Sequence, residues 1–467
     1  MFIQKITPIN VEPSKYINDS SLDFSIYVCK KRGIPTLMDG LKDGQRKALY
    51  LLKPKSGEIK TVSLAGEMIS SELYIHGDTA AADSIGMLAA PYQNNIPFIQ
   101  GVGNFGTKAK ASEISAARYT YVTSNMATRT LMYKDIEVAP MEPNSEGTNE
   151  SVEYFLPLVP TILFNGISGM GVGFKSTIFP RDPVKVAQAT LLHLQGKPIP
   201  DDLLLPSYQF CSDGRSARGK KAHQYYFFGK CEIVDTSTVK ITDLPPSITP
   251  EKFKAKLVQM LENKKIREYT NDTAENVCFT VKLPRGLAKD WTPDDAIKYF
   301  ELRKVNSEIL TAICDNRVKI FTSASHIISE FVERREKFFY DRYAKLIADI
   351  DVRLCWLYLY KQCFIDNLCD RISVYKSRAD LIKAVSEIRD ASSINATDEQ
   401  VTSIAELPSY RWTQDSYTKC LAQIDELIQT REEYETIRST PQNIRKQYIK
   451  EVKELIKIIP TIPTGRE

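Results

Sequence analysis

From Ile327 to about Leu368 the apolar residues recur at helical spacing. Ile328, Phe331, Tyr343, Leu346, Ile350, Leu354 and Leu357 include several three- and four-residue steps, the periodicity of a helix-packing seam. A second such stretch runs from Ser416 to Tyr434 and onward to Ile459, long enough to return antiparallel to the first. Between them, 370–412 reads as a small helical region without repeats or low-complexity sequence. The C-terminal part of the chain is therefore committed to helix, as an internal hairpin or as an extended coiled-coil arm.

The rest is patterned differently. Residues 1 to about 25 are mixed and carry Pro8 and Pro13, which reads as an arm rather than a core element. Asp43–Leu52 has helical spacing and stops at Pro54. Val62–Leu73 is a second helical stretch, and Thr79–Leu88 a third, alanine-rich, capped by Asp78 and closed by Pro91. Two short helices, the second small-residued and capped, suit a helix-turn-helix whose second helix enters the major groove of DNA. From about 156 to 310, strand-like runs (Thr161–Phe164, Tyr225–Phe228, Val239–Ile241, Val277–Val281) alternate with Gly/Pro turns, and Pro245-Pro246 precede an amphipathic stretch, Glu251–Leu261. A chain of 467 residues is about three times a typical domain, so two to four domains are expected. The fold class is α+β and multidomain.

Composition sets the environment. At 43% hydrophobic and 26% charged residues the chain is globular in character. No apolar run approaches the roughly 20 residues of a membrane span, and the N-terminus lacks a signal-peptide pattern. The nine cysteines are an odd number without C-x-x-C spacing, which points to reduced structural thiols in the cytoplasm and to no metal site. Net charge is only +4, yet residues 28–60 hold nine Lys/Arg against three acids. That local excess is either a solvated face or a surface that tracks phosphates.

The chemistry concentrates in Ser115-Ala116-Ala117-Arg118-Tyr119-Thr120. A tyrosine beside an arginine can attack a phosphodiester while the guanidinium holds the charge that develops on the phosphate. The phenol pKa is about 10, so the hydroxyl needs help to lose its proton. Other blocks stand around this pair in order: Arg32-Gly33-Ile34-Pro35, then Asp39-Gly40-Leu41-Lys42-Asp43-Gly44-Gln45-Arg46-Lys47, His76-Gly77-Asp78, Gly103-Asn104-Phe105-Gly106 and Asn165-Gly166-Ile167-Ser168-Gly169-Met170-Gly171. Gly101–Gly106 also fits G-x-G-x-x-G, but Pro97-Phe98-Ile99 leaves little room for the buried strand of a dinucleotide-binding unit.

This series, from about Tyr16 to about Ile437, resembles the breakage-reunion region of type IIA DNA topoisomerases: the gyrase A subunit, the middle of eukaryotic topoisomerase II and, most nearly, the medium subunit of T-even bacteriophage enzymes. The resemblance implies an N-terminal arm (1–25), a winged-helix domain with the catalytic tyrosine (26–155), a β-rich tower (156–315), and a coiled-coil arm with a helical dimerisation gate (316–467). It implies a transient double-strand break through a 5′-phosphotyrosine. Tyr119 would be the nucleophile, Arg118 and Arg32 the arginines that answer the phosphorane-like charge, and His76 a phosphate ligand or proton-shuttle group. Lys42, Gln45, Arg46 and Lys47 would lie along the cleaved duplex and position its phosphates. Tyr74 stands where relatives carry a first imidazole, as a phosphate hydrogen-bond donor. Thr79, Asn104 and Asn165 would face DNA. Met170, where relatives have isoleucine, would wedge between base pairs.

No Walker A sequence, ATPase signature or acidic Mg²⁺ cluster is present; Asp349-Ile350-Asp351 falls on the long helix as a solvated face. The resemblance therefore implies a partner subunit that binds ATP and Mg²⁺, a homodimer through the helical gate and the winged-helix domain, double-stranded DNA as substrate, and a cytoplasmic, nucleoid-associated setting (a host's, for a phage enzyme). A tyrosine recombinase is disfavoured, because none of His76, His193, His223 or His326 is followed by Arg three residues later. A DNA-bending protein of the same fold without activity is the remaining alternative.

Overall fold

The computed structural model describes residues 13–144, 146–211, 214–371 and 374–466; residues 1–12 of the expected arm lie outside them. The chain divides into two compact units. One comprises the described residues up to Arg335 with those from Ile449 onward, and the other is Glu336–Tyr448. The first thus takes in the last residues of the chain, which periodicity groups with the arm.

In the first unit, α1 (Pro13–Val28) is an exposed helix that runs into a wide π-type turn, Cys29–Gly33. Next come α2 (Asp43–Leu52), α3 (Thr61–Ser70) and α4 (Asp78–Ala89). They bury Leu49, Leu52, Leu64, Met68, Ala81 and Ile85 against one another and their surroundings. The short strands β1 (Ile59–Lys60), β2 (Ile99–Val102) and β3 (Tyr121–Ser124) form an antiparallel wing in the order β1-β3-β2. Helix α4 is capped by Gly77, not Asp78. Asp78 is the first helical residue and makes no side-chain cap bond, although its carboxylate still suits the positive end of the helix.

Two hairpins follow, β4 (Met141–Pro143) with β5 (Glu150–Val152) and β6 (Ile167–Gly171) with β7 (Phe174–Ile178). The run Thr161–Phe164, expected as a strand, is instead the entry to a helical turn, α5 (Ile162–Asn165). Leu163 N donates to Pro160 O at 3.0 Å and Phe164 N to Thr161 O at 2.9 Å. A short, wholly buried apolar run has no periodicity to separate strand from helix. Asp182 then caps α6 (Pro183–Leu194) through Val184 N and Lys185 N.

The β-rich region has two sheets. Strands β8 (Ser216–Arg218), β9 (Gln224–Phe228) and β14 (Arg303–Ser307) make one, ordered β14-β9-β8. Strands β10 (Lys230–Asp235), β11 (Thr238–Asp243), β12 (Glu268–Asn271) and β13 (Phe279–Lys282) make the other, ordered β10-β11-β13-β12. Helix α7 (Pro250–Glu262) puts Phe253 and Leu257 into a core with Val239, Ile241, Phe279 and Val281. Helix α8 (Pro293–Tyr299) and the hairpin β15 (Thr311–Cys314)–β16 (Arg317–Ile320) complete the region.

The second unit is helical. It is drawn from α9 (Ala324–Ile365), α10 (Leu368–Arg371), α11 (Arg378–Ala391), α12 (Asp398–Ala405), α13 (Gln414–Arg438) and the start of α14 (Pro441–Ile458). Leu354, Leu357, Val385, Ile404, Trp412 and Ile424 are in its core. Helix α13 does not continue to Ile459. It breaks before Pro441, whose fixed φ and missing N–H suit the first turn of a new helix. The Asp349/Asp351 pair stays about half exposed, as expected of a solvated face, and makes ion pairs there: Asp349 with Lys345 at 2.9 Å, and Asp351 with Arg431 of α13 at 2.5 Å. Among the described residues no helix is long and apolar enough to cross a membrane.

Candidate active site and nucleic-acid interface

Tyr119 sits on a turn held at both edges by the start of α3. Thr61 N donates to Thr120 O at 3.0 Å and Val62 N to Ala117 O at 3.2 Å. These are helix-terminal N–H groups that have no partner within their own helix. Thr120 Oγ1, buried, adds a 2.8 Å bond to Thr61 Oγ1. The turn is thereby fixed while its side chains stay free to reach outward. Tyr119 is 67% exposed, and the Arg118 guanidinium lies 4.8 Å from its ring centroid. Beside it, Thr61, Thr79, Asp83, Phe105, Ile114 and Arg118 line a cavity of 430 Å³. Thr79 is exposed on the first turn of α4. Asn104 is exposed too; its Oδ1 accepts from Gly106 N at 2.9 Å and its carbonyl from Ser115 N at 3.0 Å, which shapes the loop leading to Tyr119.

Arg32 and His76 form a second pair, with Arg32 Nη2 3.3 Å from His76 Nδ1. A guanidinium can only donate, so Nδ1 accepts and the imidazole in this arrangement is neutral, with its proton on Nε2. Partial burial and then the Arg32 charge hold the His76 pKa below its ordinary value, with Asp43 pulling the other way. Tyr74 stands edge-on to His76, centroids 4.9 Å apart. It is 8% exposed, and burial raises its phenol pKa. The expected role of Tyr74 as an outward phosphate donor does not match a ring packed under His76.

The basic stretch is the largest departure from expectation. Arg46 is 3% exposed and clasps Asp39, with Nε to Oδ2 at 2.7 Å and Nη2 to Oδ1 at 3.0 Å; it also donates to Thr36 Oγ1 and Leu41 O. Lys47 is likewise buried, 3.3 Å from Asp43. Neither lies on an open phosphate-tracking surface, because α2 turns that face inward onto acids of its own segment. Lys30 and Lys31 are paired with Glu153 and Glu142, and Lys53 and Lys55 with Glu137 and Glu67. Among the described residues Arg32, Lys42 and Lys60 have no carboxylate at ion-pair distance. Lys42 is half-buried, and burial lowers its pKa. Gln45 Oε1 accepts from Lys42 N at 3.1 Å and so caps α2.

Met170, near the tip of the β6–β7 hairpin, is 74% exposed. Its flanking glycines have a packing reason. A Cβ on Gly169 would overlap the Gly33 carbonyl oxygen and one on Gly171 the Cys29 sulfur, while a Cβ on Gly33 itself would overlap the Met170 carbonyl oxygen. The turn carrying Arg32 therefore lies directly on the strand that carries Met170. Asn165, expected at the DNA surface, is turned inward. Its Oδ1 accepts from Ile96 N at 2.9 Å and its Nδ2 donates to Ile96 O at 2.8 Å. Sequence reading passes over Asn95, which is fully buried and equally committed to backbone partners; the polar pair Asn94-Asn95 between Pro91 and Pro97 is the only signal for it.

This architecture recurs in the crystal structure of the Plasmodium falciparum topoisomerase II DNA-binding, cleavage and re-ligation domain. The TM-score is 0.82, covering 97% of this chain and 65% of that one, at 22% identity; the likeness speaks for the fold. In sequence, the chain is 26% identical over 451 residues to the DNA topoisomerase medium subunit of Enterobacteria phage T4, covering 91% of this chain and 99% of that protein. It is 27% identical over 348 residues to DNA topoisomerase 2 of Plasmodium falciparum (isolate K1 / Thailand) and 26% over 379 residues to the mitochondrial DNA topoisomerase 2 of Dictyostelium discoideum. Of those two it spans only 24% and 29%. Fold and sequence together define a DNA-cleaving and rejoining chain of the type II topoisomerases. Residues 32–453 match the family of DNA gyrase and topoisomerase IV A subunits, and the chain belongs to that family.

Proposed function

We propose that this chain makes and reseals the transient double-strand break of a type IIA topoisomerase through Tyr119. The observation that carries the proposal is the Arg118–Tyr119 turn, rigidly pinned to α3 yet presenting an exposed phenol under a guanidinium. The phenolic oxygen, once deprotonated, attacks phosphorus. The bond to the 3′ oxygen breaks, leaving a free 3′ hydroxyl and a 5′-phosphotyrosine, and the reverse attack reseals the strand. Arg118 and Arg32 answer the charge gathered on the phosphate oxygens. His76, neutral with Nε2–H available, donates to the same phosphate. Lys42 and Thr79 contact the duplex, and Met170 wedges it open.

Among the described residues no group of three or more His, Cys, Asp or Glu could hold a metal ion. The Mg²⁺ that the resemblance implies does not fit this chain's own side chains, and no step above runs through it. We assign Mg²⁺ and ATP to a separate toprim/ATPase subunit, and the working form to a homodimer of this chain with that partner in the cytoplasm. The near-complete match to the phage medium subunit, beside the quarter-length match to a eukaryotic topoisomerase 2, supports that division. The test is the polarity of the break. The chain, mixed with its partner, Mg²⁺ and plasmid and then quenched in denaturant, should give linear DNA with 5′ ends blocked by protein and 3′ ends open to exonuclease. Blocked 3′ ends, or strand passage with ATP by this chain alone, would overturn the proposal.

A further inference from the structure

Four side chains hold one short turn, residues 91–96, immediately after α4. Asn94 Nδ2 closes the end of that helix, donating to Met87 O at 2.7 Å and Ala90 O at 2.9 Å. The next residue, Asn95, reaches the other way. Its Nδ2 donates to Phe164 O, Arg181 O and Ser207 O at 3.1, 2.9 and 2.8 Å, and its Oδ1 accepts from Gln209 N at 2.8 Å. Asn165 then grips Ile96 through both its N–H and its carbonyl. From the far end of the sequence, Arg466 donates to Pro91 O and Asn94 O at 2.7 Å and to Asn95 O at 3.1 Å.

Asn165 is the last residue of α5, and only Gly166 separates it from β6, the strand that carries Met170. Gly166 has φ +63°, and a Cβ there would overlap Ile178 O. There is no slack at that joint, so where Asn165 is held, the hairpin follows. We infer that the 91–96 turn is a rigid link between α4 and the β6–β7 hairpin, with Asn95, Asn165 and Arg466 as positioning residues that set where Met170 meets the duplex relative to the groove helix. The inference rests on the DNA-cleaving reading above and adds to it. None of the three side chains touches the reacting phosphate; they act through Met170. A buried amide that replaces backbone partners on both sides tolerates little substitution, since each lost partner leaves a desolvated group unpaired.

The test uses the full chain on a duplex labelled for fluorescence transfer across the expected bend, with cleavage scored in the presence of the partner subunit. Asn165→Ala should lower the bent-to-straight ratio roughly tenfold, the size of one to two lost hydrogen bonds. Affinity for straight DNA should stay within about threefold, because the phosphate-contacting cations are untouched. Arg466→Ala should shift the ratio in the same direction by less, and Arg466→Lys less again. A nick at the bend lowers the deformation cost, so it should restore cleavage by Asn165→Ala, which a merely unstable protein would not show. Normal bending in folded Asn165→Ala and Arg466→Ala proteins would overturn the link. If circular dichroism shows Asn165→Ala unfolded, the half-exposed Arg466→Ala decides alone. A wild-type chain that forms no DNA adduct refutes the cleavage reading; a wild-type chain that cleaves and bends while both variants bend normally refutes only the link.

Discussion

Replacing Arg46 by methionine separates a buried ion pair from a phosphate contact. The guanidinium makes two hydrogen bonds to Asp39, one to Thr36 Oγ1 and one to Leu41 O, with Arg46 3% and Asp39 0% exposed. Burial opposes its charge, but Asp39, with Asp43 and Glu142 behind it, outweighs burial and holds the guanidinium ionised. Methionine keeps most of the volume and, among the described residues, leaves the Asp39 carboxylate with the N–H groups of Leu41 and Phe155, at 3.0 and 3.1 Å. Removing one member of a buried pair costs about 3–5 kcal/mol, and the two remaining donors place this case near the lower end. Amide exchange in α2 should therefore accelerate by about two to three orders of magnitude if those amides open with the pair. The slope of log affinity against log salt should not change. Lys42→Ala should do the reverse, flattening the slope by about 0.9 for the one phosphate released and leaving α2 protected. Asp39→Asn in the Arg46→Met background should recover part of the loss. A flattened salt slope with normal α2 protection in Arg46→Met would return Arg46 to the DNA surface and refute the reasoning.

Three further predictions concern the site itself. Met170→Ala should reduce bending and cleavage together while salt-dependent binding holds, and Met170→Ile should preserve both; unchanged bending in a folded alanine variant would remove the wedge. Arg118→Ala should bind DNA nearly as wild type yet cleave more slowly by about 2.7–4 kcal/mol, as when one oxyanion donor is lost; single-turnover cleavage measures it. The His76 imidazole should titrate below its ordinary 6.5 by NMR, and Arg32→Gln should move it upward. Because the folded chain then binds fewer protons than the unfolded one just below pH 6.5, the His76 contribution to stability is complete above that pH and is lost as pH falls.

What was legible in the sequence was whatever a local pattern could carry. The stripe Ile350, Leu354, Leu357 is buried as its spacing demands, and α2 ends where Pro54 approaches. The Arg118–Tyr119 pair could be singled out because its two residue types suggest a chemistry. Long-range partners were not legible. Nothing near Arg46 shows that Phe155 and Thr161 close over Asp39, so a row of cations looked solvent-facing when most of it was already paired. The Arg32–His76 contact joins residues 44 apart in sequence. Asn165 looked like a surface amide for the same reason, since its partner lies 69 residues away. The helix break at Pro441 is masked in the sequence by apolar spacing that carries on at both sides of it.

The central claim is that Tyr119 carries the covalent bond to DNA. It is tested most directly by trapping the wild-type chain and its partner on a 5′-labelled duplex, digesting protein and DNA, and locating the nucleotide by mass spectrometry. The expected result is a single peptide bearing the 5′ nucleotide on Tyr119, and no adduct from Tyr119→Phe, whose duplex binding stays near wild type. A nucleotide on any other residue, or an undiminished adduct from Tyr119→Phe, would contradict it.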